Sequence, residues 1–376
     1  MTRWLIVACL LAAAYPAVVY PLLVLWLARV RRRPWREGPP TGAIAHVITV
    51  YNEEKRIREK LLNSLSIAVP HGCTLETIVA SDGSTDATEA IVHEFRSRGV
   101  RLVRCPRMGK ESAQIAAIRK TEARYLVFSD AATHVEADAL GPLLAPFADP
   151  TVRAVSGTDV VERSTLPSGE DLYVRYEMVV RHAESLAGSL IGLSGCFFAT
   201  RREVAESFDP SITSDMGGAL LAIRQGGRAV AADGARCRYE TARSMGAEFD
   251  RKRRTVLRGL WCLWEFRDVL VRAPGIVAWQ VLSHKWCRFA IPVWLALALL
   301  LAGIEMFISQ RWLHWALVGL AAFGALGVLG LMWPRMRRIN IARAVSFATI
   351  SLLAVLFAWA DFLRGKGGTW WTPTVR

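Results

Sequence analysis

The sequence predicts an α/β domain, a parallel sheet covered by helices on both faces, held between membrane-spanning segments. Three observations predict it. Short apolar runs alternate with helical patterns from residue 43 to residue 147, which is the signature of βαβ units. Long apolar runs stand at both ends of the chain. A hydrophobic fraction of 52% coexists with a formal net charge of +14, a combination that fits basic loops beside membrane spans.

The elements follow in order. Leu5 to Leu27 is long and apolar enough to cross a bilayer, with Pro16 and Pro21 inside it. Arg29, Arg31, Arg32, Arg33 and Arg36 come directly after. By the positive-inside rule they place that end of the span in the cytoplasm. A cleaved signal peptide would be shorter and would carry its charge before the apolar run, so residues 1–28 read as a retained anchor. Residues 29–42, with Pro34, Pro39 and Pro40, read as a basic linker.

Residues 43–266 read as one cytoplasmic domain. Strands are expected at 43–50, 75–80, 100–104, 124–129 and 154–160, and helices at 54–65, 86–98, 110–121, 137–147 and 169–189. Beyond Val152 the alternation loosens into an apolar stretch at 196–200 and a helix after Asp215. A helix over 245–266 mixes Arg251, Lys252, Arg253 and Arg254 with aromatic residues. This pattern suits either the membrane surface or a pyrophosphate. Residues 267–288 read as interfacial, 289–363 as spans at 289–308, 312–333 and 342–362, and 364–376 as a tail. With the amino terminus outside, four spans return the basic tail to the outside. Either the tail is an exception or one carboxyl-terminal segment does not cross.

Seven cysteines, an odd number with no C-x-x-C pair, argue against a zinc site and a disulfide framework. The arginines are spread and cluster beside apolar runs, so no nucleic-acid partner is expected.

Five stretches fall where ligand-binding loops of such a sheet belong, outside the carboxyl ends of the strands. They are Thr49-Val50-Tyr51-Asn52-Glu53-Glu54, Ser81-Asp82-Gly83-Ser84-Thr85-Asp86, Arg107-Met108-Gly109-Lys110, Phe128-Ser129-Asp130 and Thr213-Ser214-Asp215. Singly, each is ordinary turn or cap chemistry. As an ordered set they resemble the nucleotide-sugar-binding half of family-2 glycosyltransferases, whose fold is called GT-A. The resemblance continues through Glu184-Ser185, Ser194-Gly195-Cys196, Arg201-Arg202 and Arg251 to Arg254. It is greatest to the membrane-anchored branch of hyaluronan, poly-N-acetylglucosamine, chitin and cellulose synthases.

That resemblance implies a Rossmann-like domain flanked by transmembrane helices. It implies nucleotide-sugar contacts from Thr49, Tyr51, Asn52, Glu53, Asp82, Lys110 and Asp130, with Asp82 on base or ribose. Asp130 matches the first carboxylate of the D-x-D metal motif, which implies Mg²⁺ or Mn²⁺. Asp215 matches the general base of the T-E-D motif. Arg251, Arg254, Gly195 and Glu184 fall on the pyrophosphate and acceptor side. Four positions in three motifs depart from the pattern. Ala132 replaces the second aspartate of D-x-D, Ser214 the middle acid of T-E-D, and Arg251 and Thr255 the Gln and Trp of Q-x-x-R-W.

The expected activity is inverting transfer from a UDP-sugar to a glycan or lipid-linked acceptor. It would act in bacterial exopolysaccharide or envelope synthesis, at the inner membrane, with export partners possible in that setting. Transfer to polyprenyl phosphate needs no base, and a non-catalytic GT-A scaffold needs none of this chemistry. These are the two alternatives.

Overall fold

The computed structural model describes residues 2–161, 169–239, 245–308 and 340–367, with the isolated positions 319, 322 and 329. The span expected at 312–333 and the basic residues Arg335, Arg337 and Arg338 lie outside the described residues. So does the tail beyond residue 367.

The chain opens with α1 (Thr2–Ala14), a π-helical turn at Tyr15–Val19 that contains Pro16, and α2 (Tyr20–Val30). Together they make one apolar helix, Thr2–Val30, long enough to cross a membrane. The α/β domain then alternates β1 (Gly42–Val50), α3 (Ile57–Leu65), β2 (Cys73–Asp82), α4 (Thr88–Glu94), β3 (Val100–Cys105), α5 (Lys110–Ile118) and β4 (Tyr125–Asp130). A three-residue β5 (Thr133–Val135), α6 (Leu140–Leu144), β6 (Val152–Val161) and the long α7 (Gly169–Ala187) follow. Next come β7 (Phe197–Arg201), α8 (Arg202–Ala205), α9 (Ser214–Arg224) and β8 (Arg228–Tyr239). Beyond them run α10 (Met245–Glu265), α11 (Val269–Arg272), α12 (Gly275–Gln280), a π-helical segment Val281–Cys287, α13 (Arg288–Ile308) and α14 (Asn340–Leu363).

The eight strands form one sheet in the order β3-β2-β1-β4-β7-β6-β8-β5. The expectation of a parallel sheet holds for β3, β2, β1 and β4 and for the β6–β8 pair, and fails at β7 and β5. β7 runs antiparallel to both β4 and β6, and β5 antiparallel to β8. The reason is the connection. α7 and the loop after it separate β6 from β7, and a link that long can return the chain to either end of the sheet, so β7 is free to enter antiparallel. Phe128 of β4 and Phe198 of β7 are register partners across that antiparallel step, and their rings stack 4.8 Å apart.

Apolar residues line both faces of the sheet. One face packs α5, α8 and α9 against Val47, Ile78, Leu126 and Phe198. The other packs α6 and the turn at Phe147 against Ile44, Val127, Val155 and Phe197. Burial on both faces explains why these strands read as continuous apolar runs rather than alternating ones.

Two features join the domain to the membrane helices. α10 carries Arg253, whose Nε donates to Asp361 of α14 at 2.7 Å, and Trp261, whose ring meets Phe362 at 4.6 Å. Trp261 is thus a packing residue. Residues 275–288, expected as interfacial, run on into α13, and Gly275–Glu305 is a single helix of spanning length. Val345–Leu363 is the third such helix among the described residues.

Candidate functional site

β1 has β2 on one side and β4 on the other, so the strand order reverses between β1 and β4. Open α/β sheets bind ligands at such a switch point, beyond the strand ends. Register puts Thr49 of β1 opposite Asp130 of β4, and Val50 beside Ser81. Four of the expected stretches therefore share one edge because strand order and register demand it.

On the β2 side, Asp82 is fully buried. Its Oδ1 accepts from the backbone N–H groups of Met108 (2.8 Å) and Gly109 (2.9 Å), and its Oδ2 from the Arg107 guanidinium. The resemblance implies a contact from Asp82 to base or ribose. In this chain both carboxylate oxygens are taken up in fixing the loop that leads to Lys110. Gly83 makes the approach possible. Its φ is +69°, and a Cβ there would stand 2.9 Å from Arg107 N. Arg107 in turn lies over the Tyr51 ring at 3.5 Å, a flat cation–aromatic pair at the mouth of the crevice. Sequence reading quoted Arg107 but gave it no role; a cation two residues before a glycine–lysine pair was the available signal.

Asn52 has φ +52°, the only non-glycine residue with positive φ among the described residues. That bend is held from outside. Asn52 Oδ1 accepts from Thr85 N at 2.8 Å, and Asn52 N donates to Ser84 Oγ at 3.2 Å. Glu53 N donates to Thr88 Oγ1 (2.8 Å), and the Glu53 carboxylate receives Arg56 at 3.2 Å. The loops after β1 and β2 thus lock each other. Thr49 Oγ1 is buried with no hydrogen-bond partner among the described residues.

The centre of the site is a cation–carboxylate pair. Lys110 Nζ donates to Asp130 Oδ1 at 2.5 Å and reaches the Gly195 carbonyl at 3.5 Å. Burial would lower the Lys110 pKa. Asp130, with help from Glu111 and Asp215, outweighs it and holds the ammonium above its ordinary value. Asp130 Oδ2 has no hydrogen-bond partner among the described residues.

Gly195 connects this pair to the second acid. A Cβ at Gly195 would stand 3.2 Å from Asp215 Oδ2. Asp215 sits in the first turn of α9, where the helix terminus favours a carboxylate, and its Oδ1 accepts from Met216 N at 2.7 Å. The loop before Gly195 is anchored by Ser194, whose Oγ accepts from Cys196 N and Phe197 N at 3.1 Å each and donates to Asp159 Oδ1 at 2.5 Å. Asp159 was missed in the sequence, although it lies near the end of a strand like Asp130. Burial pushes its carboxyl pKa up, opposed by Arg181 and Ser194, and Asp130 adds to the rise.

The structure therefore brings Thr49, Lys110, Asp130, Gly195 and Asp215 together. Glu184 lies apart from them. It is buried against the membrane helices, accepting from Tyr20 of α2 and paired with His284 Nδ1 at 2.6 Å. Arg251 pairs with Glu248 on its own helix at 2.8 Å. Burial lowers the Arg254 pKa, with Arg258 and Arg251 reinforcing the effect. The residue of α10 that reaches the site's framework is Arg258, bound to Glu111 of α5 at 2.6 Å.

Among the described residues no group of three or more His, Cys, Asp or Glu side chains stands ready to hold a metal ion. The free Oδ2 of Asp130 fits a divalent ion whose other ligands are phosphate and water oxygens. Magnesium and manganese accept such a set.

The family model described as Glycosyl transferase family 2 matches residues 46–208. The poly-beta-1,6-N-acetyl-D-glucosamine synthase of Staphylococcus epidermidis is 27% identical over 167 residues, 43% of this chain and 40% of that protein. The hyaluronan synthase of Streptococcus pyogenes serotype M3 is 30% identical over 184 residues, 46% of this chain and 43% of that protein. The matched segment thus spans less than half the length of either relative. Among solved structures, the mannosyltransferase PcManGT from Pyrobaculum calidifontis, in complex with GDP-Man and Mn²⁺, superposes with a TM-score of 0.74 at 24% identity. That superposition covers 97% of this chain and all of that one, and it shows a shared fold. Residues 46–208 thus match a glycosyl transferase family 2 model, and the chain shares the GT-A fold of that solved mannosyltransferase.

Proposed function

We propose that the chain is a membrane-integrated inverting glycosyltransferase. It moves a sugar from a nucleoside diphosphate, a UDP-sugar, to a glycan or lipid-linked acceptor in bacterial exopolysaccharide or envelope synthesis. The observation that carries this reading is the joint at Gly195. Its carbonyl lies 3.5 Å from Lys110 Nζ, and its open Cα face lies beside the Asp215 carboxylate. A fixed cation, Lys110, and the Asp215 carboxylate flank Gly195 near the strand ends. Sugar transfer from a pyrophosphate needs that pairing.

In this reading Tyr51 and Arg107 flank the base, and the interlocked loops at Asn52 and Thr85 shape the ribose end. Lys110 faces the diphosphate. Asp130 would hold a divalent ion together with the diphosphate oxygens; when bound, the ion neutralises charge on the leaving group. Asp215 takes the proton from the acceptor hydroxyl as the new glycosidic bond forms and the bond from the anomeric carbon to the phosphate oxygen breaks. With one base and no covalent intermediate, the anomeric configuration inverts. The three helices of spanning length and the arginines after Val30 support a multi-pass inner-membrane placement with the domain on the cytoplasmic side. Export partners would then receive the product beyond the membrane.

The test is transfer by the purified protein in detergent, supplied with a panel of nucleotide sugars, with products read by mass spectrometry. Asp215→Asn abolishes transfer and leaves nucleotide binding intact. Full activity in that variant assigns the base elsewhere and favours an acceptor that is already an anion, such as polyprenyl phosphate.

A further inference from the structure

A groove of about 560 Å³ lies between α2 and α7, with Asp233 of β8 at its edge. Its wall is apolar, with Leu25 of the first span facing Met178, Val179 and Leu186 of α7. At its rim stand Arg29 and Arg32, whose side chains make no hydrogen bond or ion pair with any described residue. The groove is not slack. Arg33 N donates to Leu186 O at 2.8 Å, and Arg228 binds the carbonyls of Arg33 (2.9 Å) and Pro34 (3.0 Å), so the end of α2 is pinned to the domain.

Its position along the chain matters as much as its lining. Leu25 belongs to the last two turns of a helix long enough to span a bilayer, and Arg29 and Arg32 stand where that helix leaves the hydrocarbon. An apolar slot opening toward the bilayer, closed at headgroup level by two unpaired guanidinium groups, matches one ligand class in both shape and charge. One acidic group faces it. Asp233 of β8 accepts from His182 Nδ1 at 3.1 Å, and that bond, together with Asp233's charge, raises the His182 pKa against the effects of burial and Arg32. The acid is thus occupied by its own partner, and the rim keeps an excess of positive charge.

We propose that this groove binds an anionic glycerophospholipid, its phosphate between Arg29 and Arg32 and one acyl chain along Leu25, Met178 and Val179. The proposal rests on membrane association and is independent of the transferase reading. Its role would be to fix the orientation of the domain against the membrane surface through α7, the helix that also carries Arg181 and Glu184.

The experiment uses the full chain in lipid nanodiscs containing a photoactivatable phosphatidylglycerol or, separately, its phosphatidylcholine counterpart, with labelled peptides identified by mass spectrometry. The phosphatidylglycerol probe labels α7 around Val179 well above the phosphatidylcholine probe, and excess inorganic phosphate does not displace it. A cation near an anionic surface contributes roughly fivefold in binding, so Arg29→Ala with Arg32→Ala lowers labelling by about 25-fold. Val179→Glu, at a position 54% exposed and so tolerant of substitution, also loses the label and decides the question if the arginine variant misfolds. Equal labelling by the two probes overturns the proposal. So does unchanged labelling in the variants, or displacement by free phosphate.

Discussion

Gly195 and Asp215 are in near contact: a methyl group on Gly195 would come within 3.2 Å of Asp215 Oδ2. The carboxylate stands there because the Gly195 side is open. Gly195→Ala forces the acid to give by a few tenths of an ångström, and small misplacements of a catalytic group are costly. The expected outcome is a fall in kcat of roughly tenfold with nucleotide affinity unchanged. Steady-state kinetics beside calorimetric titration with UDP separates the two.

Asp82 fixes the loop that leads to Lys110. Asp82→Ala leaves the Arg107 guanidinium and two backbone N–H groups without their acceptor. Breaking a buried pair of this kind costs about 3 kcal/mol or more. The expected result is a lower midpoint in denaturant unfolding together with lost nucleotide binding. Gly83→Ala, which pushes a methyl group into the Arg107 backbone, acts on the same loop and in the same direction.

Lys110 stays charged through the working pH range. Its pKa is raised in the folded chain, so the stability drawn from its pairing with Asp130 is complete below its unfolded value of 10.5. It is lost only as pH climbs through the higher folded value. Lys110→Met is therefore expected to lower diphosphate affinity by a constant factor between about pH 6 and 9, with no titration step in that window. Binding measured across the window checks this.

Lys60 behaves in the opposite way. It is buried beneath the site, donates to Thr133 O at 2.7 Å, and burial lowers its pKa to about 8, opposed by Cys237 and Asp130. The folded chain releases this proton before the unfolded chain does, so stability rises as pH goes from about 8 toward 10.5. The full rise is on the order of 3 kcal/mol. Lys60→Met removes that contribution, and unfolding curves of the two proteins against pH reveal it as a difference.

The parallel half of the sheet was legible because β1, β2 and β4 are short apolar runs, β2 and β4 each closed by an aspartate at the carboxyl end. β8 was hidden. Its second half alternates buried Cys237 with exposed Arg236 and Arg238, and Asp233-Gly234 in its middle reads as a turn. β5 has three residues, too few for any period to register. Of the site, Lys110, Asp130 and Asp215 could be named from their places after strands and before helices. What they touch could not. Asp82 spends its oxygens on Arg107, Met108 and Gly109, and Glu184 faces Tyr20 and His284, because these contacts join segments far apart in sequence.

Gln280 lies in the helix that begins at Gly275 and continues as a span. Its Nε2 donates to Glu184 O at 3.0 Å, and its Oε1 accepts from Ser189 N at 3.2 Å. These are main-chain anchor points on either side of the turn that leaves α7, six residues ahead of Gly195. The helix of spanning length and the turn ahead of Gly195 are thereby one mechanical part. In the proposed transferase, the distance from the membrane anchor to the site is therefore set by this chain's own stitching, and a bilayer of different thickness would shift the two together.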